Sequence, residues 1–254
     1  MSESKLKCVG IADLHGTLPK DLPEGDVLCI AGDISPLEYQ EDQTQMLGWF
    51  YLEFLPWVES SPYKKVILVG GNHDFFLENI HKRKKQSLYP PYAIEYSWRS
   101  PSEVTKKLFP GQLKGKYSKL VYLCDSSYNY EGKRFYGSPW CINLQRWAFY
   151  KDHDDITVAY KNIPKQCDVI ITHQPPKIEG LGQVIQGGTW NYGQDFGSEE
   201  LAEVLKTRQF KYALCGHVHS GQHYPVVMDG KHLVNVSGKN EDYDYCYYPF
   251  EFEV

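Results

Sequence analysis

The 254-residue chain reads as an α/β fold with at least partly parallel strand pairing. Three observations lead there. Short apolar runs of strand length alternate with helix-period segments, as in βαβ units. Five of those runs end in clusters of Asp, Asn, His and Gly, the arrangement expected where ligands collect outside the carboxyl ends of parallel strands. A hydrophobic content of 42% and an aromatic content of 15% suffice for one large core. No linker, internal repeat or low-complexity tract interrupts the chain, so residues 1–254 are read as a single domain.

Taken in order, residues 8–12 form a buried-strand pattern that ends at Asp13, Leu14, His15 and Gly16. Residues 26–31 form a second, ending at Gly32 and Asp33. Residues 43–55 have helical periodicity: Met46, Phe50 and Phe54 recur every fourth position, and Pro56 is expected to stop the helix. Residues 65–69 are a strand that runs into Gly70-Gly71-Asn72-His73-Asp74, the centre of the chain's chemistry. The two glycines allow a sharp turn and a close approach to another group. Prolines at 90, 91, 101 and 110 break up the next stretch, with 102–109 a candidate short helix. Residues 119–124 and 132–136 read as two strands joined by a polar turn, and residues 168–171 as a strand ending at Thr172 and His173. Residues 178–197 carry six glycines and no period, hence a long loop. Ser198 caps a helix whose first turn holds Glu199 and Glu200 and whose apolar face is Leu201, Val204 and Leu205. Residues 212–215 are a strand ending at Gly216-His217-Val218-His219. Residues 233–236 and 245–254 close the fold.

Composition also excludes some classes. The net charge of −5 gives no global attraction for nucleic acid, which is therefore not favoured as a partner. The one basic run, residues 81–85, reads as a solvated face or as a rim that attracts phosphate. Seven cysteines, an odd number without a CxxC pair, fit a reducing compartment better than a disulfide framework. The polar start and the lack of any apolar stretch near ~18 residues argue against a leader or a membrane span. A cytoplasmic location is the expectation.

The strand-end clusters combine imidazole, carboxylate and amide oxygen without thiolate, a donor set suited to Mn, Fe, Zn or Ni. Asp13, His15, Asp33, Asn72, His173, His217 and His219 are too many for one tetrahedral ion, and they suit two divalent ions sharing a carboxylate.

The ordered series D-x-H (13–15), G-D (32–33), G-N-H-D (71–74), His173 after a strand and G-H-x-H (216–219) resembles the calcineurin-like metallophosphoesterase superfamily. Gly137-Ser138-Pro139-Trp140, Thr172-His173-x-Pro175-Pro176 and Trp147-Ala148-Phe149 resemble its small metallophosphoesterase-domain and class III cyclic nucleotide phosphodiesterase-like group. The resemblance implies a four-layer αββα sandwich of two mixed β-sheets flanked by helices. It also implies one metal held by Asp13, His15 and His219, a second by Asn72, His173 and His217, and Asp33 bridging them. His73 would be the general acid and Asp74 its orienting group. The implied activity is a phosphodiesterase or phosphomonoesterase reaction on a nucleotide-like or small organic phosphate, by attack of a metal-bridging hydroxide. The alternatives are a protein phosphatase, or a non-catalytic scaffold on the same fold, whose expected marks are degraded ligands and a missing general acid. His153, His223 and His232 are read as surface residues. Trp190 and Tyr192 are read either as a stacking face for a base or aryl group or as anchors for the loop. The tyrosines from 243 to 248 are read as cross-strand packing.

Overall fold

The computed structural model describes residues 5–86 and 118–254. In the first sheet β1 (Lys7–Ile11), β2 (Val27–Ala31), β3 (Lys65–Val69) and β4 (Leu120–Leu123) run parallel in that order, and β11 (Phe250–Glu253) pairs antiparallel with β1. In the second, β6 (Lys133–Ser138), β7 (Val169–Thr172), β8 (Tyr212–Cys215) and β10 (Lys231–Asn235) are parallel. There β5 (Ser126–Tyr130) and β9 (Val226–Met228) form antiparallel edges.

Strand alternation explains the layering. Val27, Cys29 and Ala31 of β2, Ile67 and Val69 of β3, and Val169 and Ile171 of β7 face one core between the sheets. The intervening Leu28, Ile30, Val66, Leu68 and Ile170 join a second apolar cluster with the helices. Strands buried on both faces read as continuous apolar runs, which is why the sequence marks them so clearly. The helices are α1 (Gln43–Trp49), α2 (Leu55–Ser60), α3 (Phe75–Gln86), α4 (His153–Lys161) and α5 (Glu199–Lys206). Two mixed sheets flanked by helices, as the resemblance implied, are what the chain forms.

Several local expectations are corrected. Pro56 does not end the first helix. Between α1 and α2 runs a π-helical segment, Phe50–Phe54, in which the Leu55 N–H reaches the Phe50 carbonyl five residues back. The wider turn lets Pro56 fall at the first positions of α2, where a missing N–H is harmless. Residues 119–124 and 132–136 are not neighbours across a turn. Their strands lie in different sheets, and the polar stretch between them is β5, hairpinned to β6 with Glu131 and Gly132 at positive φ. Its Ser-Ser-Tyr-Asn-Tyr composition suits an exposed edge, which hides it from an apolar-run search. β9 and α4 are further elements that the sequence did not announce. The candidate helix at 102–109 lies outside the described residues. Of the basic run, Lys82 pairs with Glu78 at 2.7 Å, and His81 contacts the Cys124 thiol at 3.2 Å.

Candidate metal centre

All the parallel strands that end in polar clusters end on the same side, so their loops meet. Asp13 and His15 follow β1, Asp33 follows β2, Asn72 follows β3, His173 follows β7, and His217 and His219 follow β8. The loop after β1 continues its pairing with the loop after β2: His15 N–H donates to the Asp33 carbonyl at 2.9 Å and Gly16 N–H to the Ile34 carbonyl at 3.0 Å. Asp13, Asp33 and His217 sit at φ of 56°, 55° and 73°. Non-glycine residues in this region cost energy and cluster where a side chain must be aimed. Gly71 shows the reason for the glycine pair after β3. A Cβ there would lie 2.3 Å from Asp33 Oδ1 and 2.8 Å from His173 Cε1.

Asp33 is the hub. Its Oδ1 accepts the His73 N–H at 2.8 Å, while Oδ2 faces His173 Nε2 at 3.2 Å, His15 Nε2 at 3.8 Å and His73 Nε2 at 3.9 Å. On one side His15 Nε2 lies 3.2 Å from His219 Nε2, with Asp13 Oδ1 3.9 Å from the latter. On the other, Asn72 Oδ1 lies 2.8 Å from His217 Nδ1 and 2.9 Å from His173 Nε2. All seven residues that the sequence marks as metal-type donors are therefore in one neighbourhood. Three groups in this neighbourhood, one of them drawing in His73, could hold an ion: Asp13, His15 and His219; His15, Asp33 and His73; and Asp13, Asp33 and His173.

Two observations test whether such ions fit. The first is the proton inventory. His173 Nδ1 donates to the Ala31 carbonyl at 2.8 Å, and His219 Nδ1 to the Asn240 carbonyl at 2.9 Å. Each contact fixes the tautomer with the Nε2 lone pair pointing inward. The His173 lone pair then faces a carboxylate oxygen and an amide oxygen, a repulsive set unless a cation or proton lies among them. His15 Nδ1 is buried without a hydrogen-bond partner. The second is spacing. Two donors on one ion at about 2.0–2.1 Å are separated by about 2.8–3.4 Å for right-angled to tetrahedral geometry. The contacts of 2.8, 2.9, 3.2 and 3.2 Å match that range. The donors fit the group.

The electrostatics agree with a site of mutually dependent charges. Burial alone would raise the Asp33 carboxyl; the imidazoles of His173, His73 and His15 hold it well below the usual carboxylate range. Burial would lower His173, but Asp33 beside it lifts the ring to about 9. Burial, with His173 adjacent, pushes His217 down to about 3.

One expectation fails. Asp74 does not orient His73. Its Oδ1 accepts from Ser35 N at 3.1 Å and Ser35 Oγ at 2.6 Å, and its Oδ2 from Asp33 N and Gly71 N, each at 2.9 Å. The loop geometry turns this carboxylate into the knot tying the β2 and β3 loops. The partner of His73 Nδ1 is the Gln40 side chain. Sequence reasoning also passed over Tyr243. Far from packing across strands, its ring stands 4.9 Å from both His15 and His219, at φ 64°, with its carbonyl held by the buried Lys239 ammonium at 2.8 Å. No local pattern marks either residue, because both reach the site from irregular loops. His153, His223 and His232 stay outside it. His153 is exposed and pairs with Glu200, His223 stacks on Tyr247 and His232 on Tyr212.

Fold and site together define a metallophosphoesterase architecture, and the chain belongs to the calcineurin-like phosphoesterase family, whose model matches residues 7–221. Among relatives, it is 32% identical over 87% of its length to metallophosphoesterase domain-containing protein 1 of Homo sapiens. It is 29% identical over 97% of its length to the UPF0046 protein T07D4.2 of Caenorhabditis elegans. The chain spans about three fifths of these relatives, 62% and 59% of their lengths. Among solved structures, the phosphopantetheinyl hydrolase of Mycobacterium tuberculosis superposes with a TM-score of 0.50 at 13% identity, over 92% of this chain and 90% of the other, a likeness of fold. No helix among the described residues is long and apolar enough to cross a membrane.

Proposed function

We propose that the chain is a binuclear metal-dependent phosphoesterase that cleaves phosphodiesters of nucleotide-like or small organic phosphates. The observation that carries this is Asp33 Oδ2, placed among the His15, His73 and His173 rings between two sets of donors. In this reading Asp13, His15 and His219 hold one divalent ion, Asn72, His173 and His217 the other, and Asp33 serves both. Two such ions, when bound, acidify water and neutralise phosphoryl oxygens. Asn72 supplies a neutral oxygen where a further carboxylate would repel an anionic ester. His73 carries the proton for the leaving oxygen. Asp74 acts on the site through the Asp33 and Gly71 backbone. The reading takes residues 1–254 as one domain in a reducing, cytoplasmic setting, which its mostly buried thiols, none of them in a disulfide, suit.

The diester preference draws support from exposed aromatic side chains on the loop of residues 178–197. Trp190 and Tyr192 are 87% and 63% exposed on the long loop. That loop is tied toward Tyr243 by Gln186, which donates to Asp242 at 2.7 Å and accepts from Glu241 N at 3.0 Å. The test is hydrolysis of bis(p-nitrophenyl) phosphate and p-nitrophenyl phosphate with Mn²⁺, in wild type and Asp33→Asn. The expectation is faster cleavage of the diester and a loss of about 10²-fold or more in Asp33→Asn. A wild type inert toward both esters, with no bound transition metal by elemental analysis, would instead point to a scaffold.

A further inference from the structure

Gln40 lies in the turn between Asp33 and α1, where nothing in the sequence marks it as chemical. Its side-chain carbonyl oxygen meets Nδ1 of His73. A carbonyl oxygen only accepts, so the hydrogen in this contact belongs to the imidazole. The ring is held from other sides as well. Trp147 lies across it, with centroids 4.4 Å apart and planes at 53°, and His15 meets it edge-on at 4.7 Å. The His73 backbone is pinned to Asp33 Oδ1 at 2.8 Å. With Nδ1 committed to Gln40, the nitrogen left facing the donor cluster is Nε2, 3.9 Å from Asp33 Oδ2. Asp74, the sequence neighbour where such a partner would be sought, has both oxygens engaged elsewhere.

We infer that Gln40 is the positioning residue of His73: its carbonyl fixes the ring so that Nε2 presents its proton to the leaving oxygen of the ester. This rests on the phosphoesterase reading and deepens it. The substrate class it suits is an ester whose leaving oxygen is an unactivated sugar or alkyl hydroxyl, since such an oxygen departs poorly without a proton. In the step, a water oxygen forms the new P–O bond and its proton passes to solvent. The old P–O bond breaks with its electron pair going to the leaving oxygen, and the Nε2–H bond gives its proton to that same oxygen. The ring is left as the neutral Nδ1–H tautomer, still bonded to Gln40, and regains the Nε2 proton from solvent. An amide does this work without adding negative charge beside an anionic ester. A carboxylate at the same place would add charge and bind the Nδ1 proton more strongly.

The test uses the full chain as wild type, Gln40→Leu and Gln40→Glu, with methyl aryl phosphates ranging from the 4-nitrophenyl to the unsubstituted phenyl ester. General acid catalysis is worth ~10²–10⁴-fold and matters most for basic leaving groups, so Gln40→Leu is expected to lower kcat about 30-fold for the phenyl ester but less than about 3-fold for the 4-nitrophenyl ester, with KM nearly unchanged. Gln40→Glu, which keeps an acceptor oxygen, is expected to recover most of the phenyl ester rate. Equal losses across the series in Gln40→Leu would overturn the role of Gln40 while leaving the phosphoesterase reading intact. A wild type that cleaves none of the series overturns that reading itself. A second measurement is independent of turnover: long-range ¹H–¹⁵N correlation of the His73 ring in metal-free protein at about pH 8.5, where imidazole is ordinarily neutral. The expected signal is an Nδ1-protonated ring in wild type that is lost in Gln40→Leu. An Nε2-protonated wild-type ring would overturn the inference.

Discussion

At the scale of single residues, the site depends on side chains whose job is to tie loops together. Asp74 is the clearest case. It is buried and accepts from three backbone N–H groups and one hydroxyl. Replacing it with Ala would strand those donors, and each unsatisfied buried donor costs about 1–3 kcal/mol. Asp74→Ala is therefore expected to lower unfolding stability by about 3 kcal/mol or more, read from the urea midpoint. An unchanged midpoint, together with slowed expulsion of basic leaving groups alone, would return Asp74 to the side of His73 and sink this account. Gly71 makes the complementary point: the absence of a side chain lets the loop come within contact of Asp33 and His173.

At the scale of elements, packing overrides a local signal at Pro56. The rod from Gln43 to Ser60 continues past a proline because a π turn shifts the hydrogen-bond partner, keeping Phe50, Phe54, Leu55 and Val58 in the core. The helices α4 and α5 are joined at their starts by His153 and Glu200, 2.5 Å apart. The hydrogen bond to Glu200 raises His153. Burial would raise Glu200, but the bond to His153 outweighs it and lowers the carboxyl. A raised imidazole stabilises the fold below its unfolded pKa and loses that contribution as pH rises through the folded value. A lowered carboxyl stabilises above its unfolded pKa and loses it as pH falls through the folded value. The contribution is therefore largest between the two. The melting temperature gap between wild type and His153→Gln should be widest near about pH 5.5 and close by about pH 8.5. A gap that widens with pH would contradict the pairing.

At the scale of the whole molecule, the parallel strands of two sheets deliver seven metal-type donors to one end. Without metal ions, buried imidazoles and carboxylates crowd one another there with only protons to mediate, so metal binding should be coupled to stability. At about one hundred times its Kd, Mn²⁺ is expected to add about 2.7 kcal/mol and raise the melting temperature by about 5–10 °C, with chelator reversing the shift. Asp33→Asn should lose most of it. A midpoint unmoved by Mn²⁺, Fe²⁺, Zn²⁺ and Ni²⁺ alike would be incompatible with the proposed centre.

The amino-acid order alone was enough to mark the parallel strands and the donors at their ends. A strand buried on both faces must be apolar throughout, and a ligand at its carboxyl end must interrupt that run at once. Asp13, His15, Asp33, Asn72, His173, His217 and His219 were legible for that reason. The polar edge strand β5, the π turn before Pro56, the engagement of Asp74 with backbone rather than with His73, and the arrival of Gln40 and Tyr243 were settled only by the folded chain. Each depends on a neighbour distant along the chain or on a backbone turn with no side-chain signature. Periodicity reports what a residue is buried against on average. It carries no record of which loop comes back across the sheet ends to meet it.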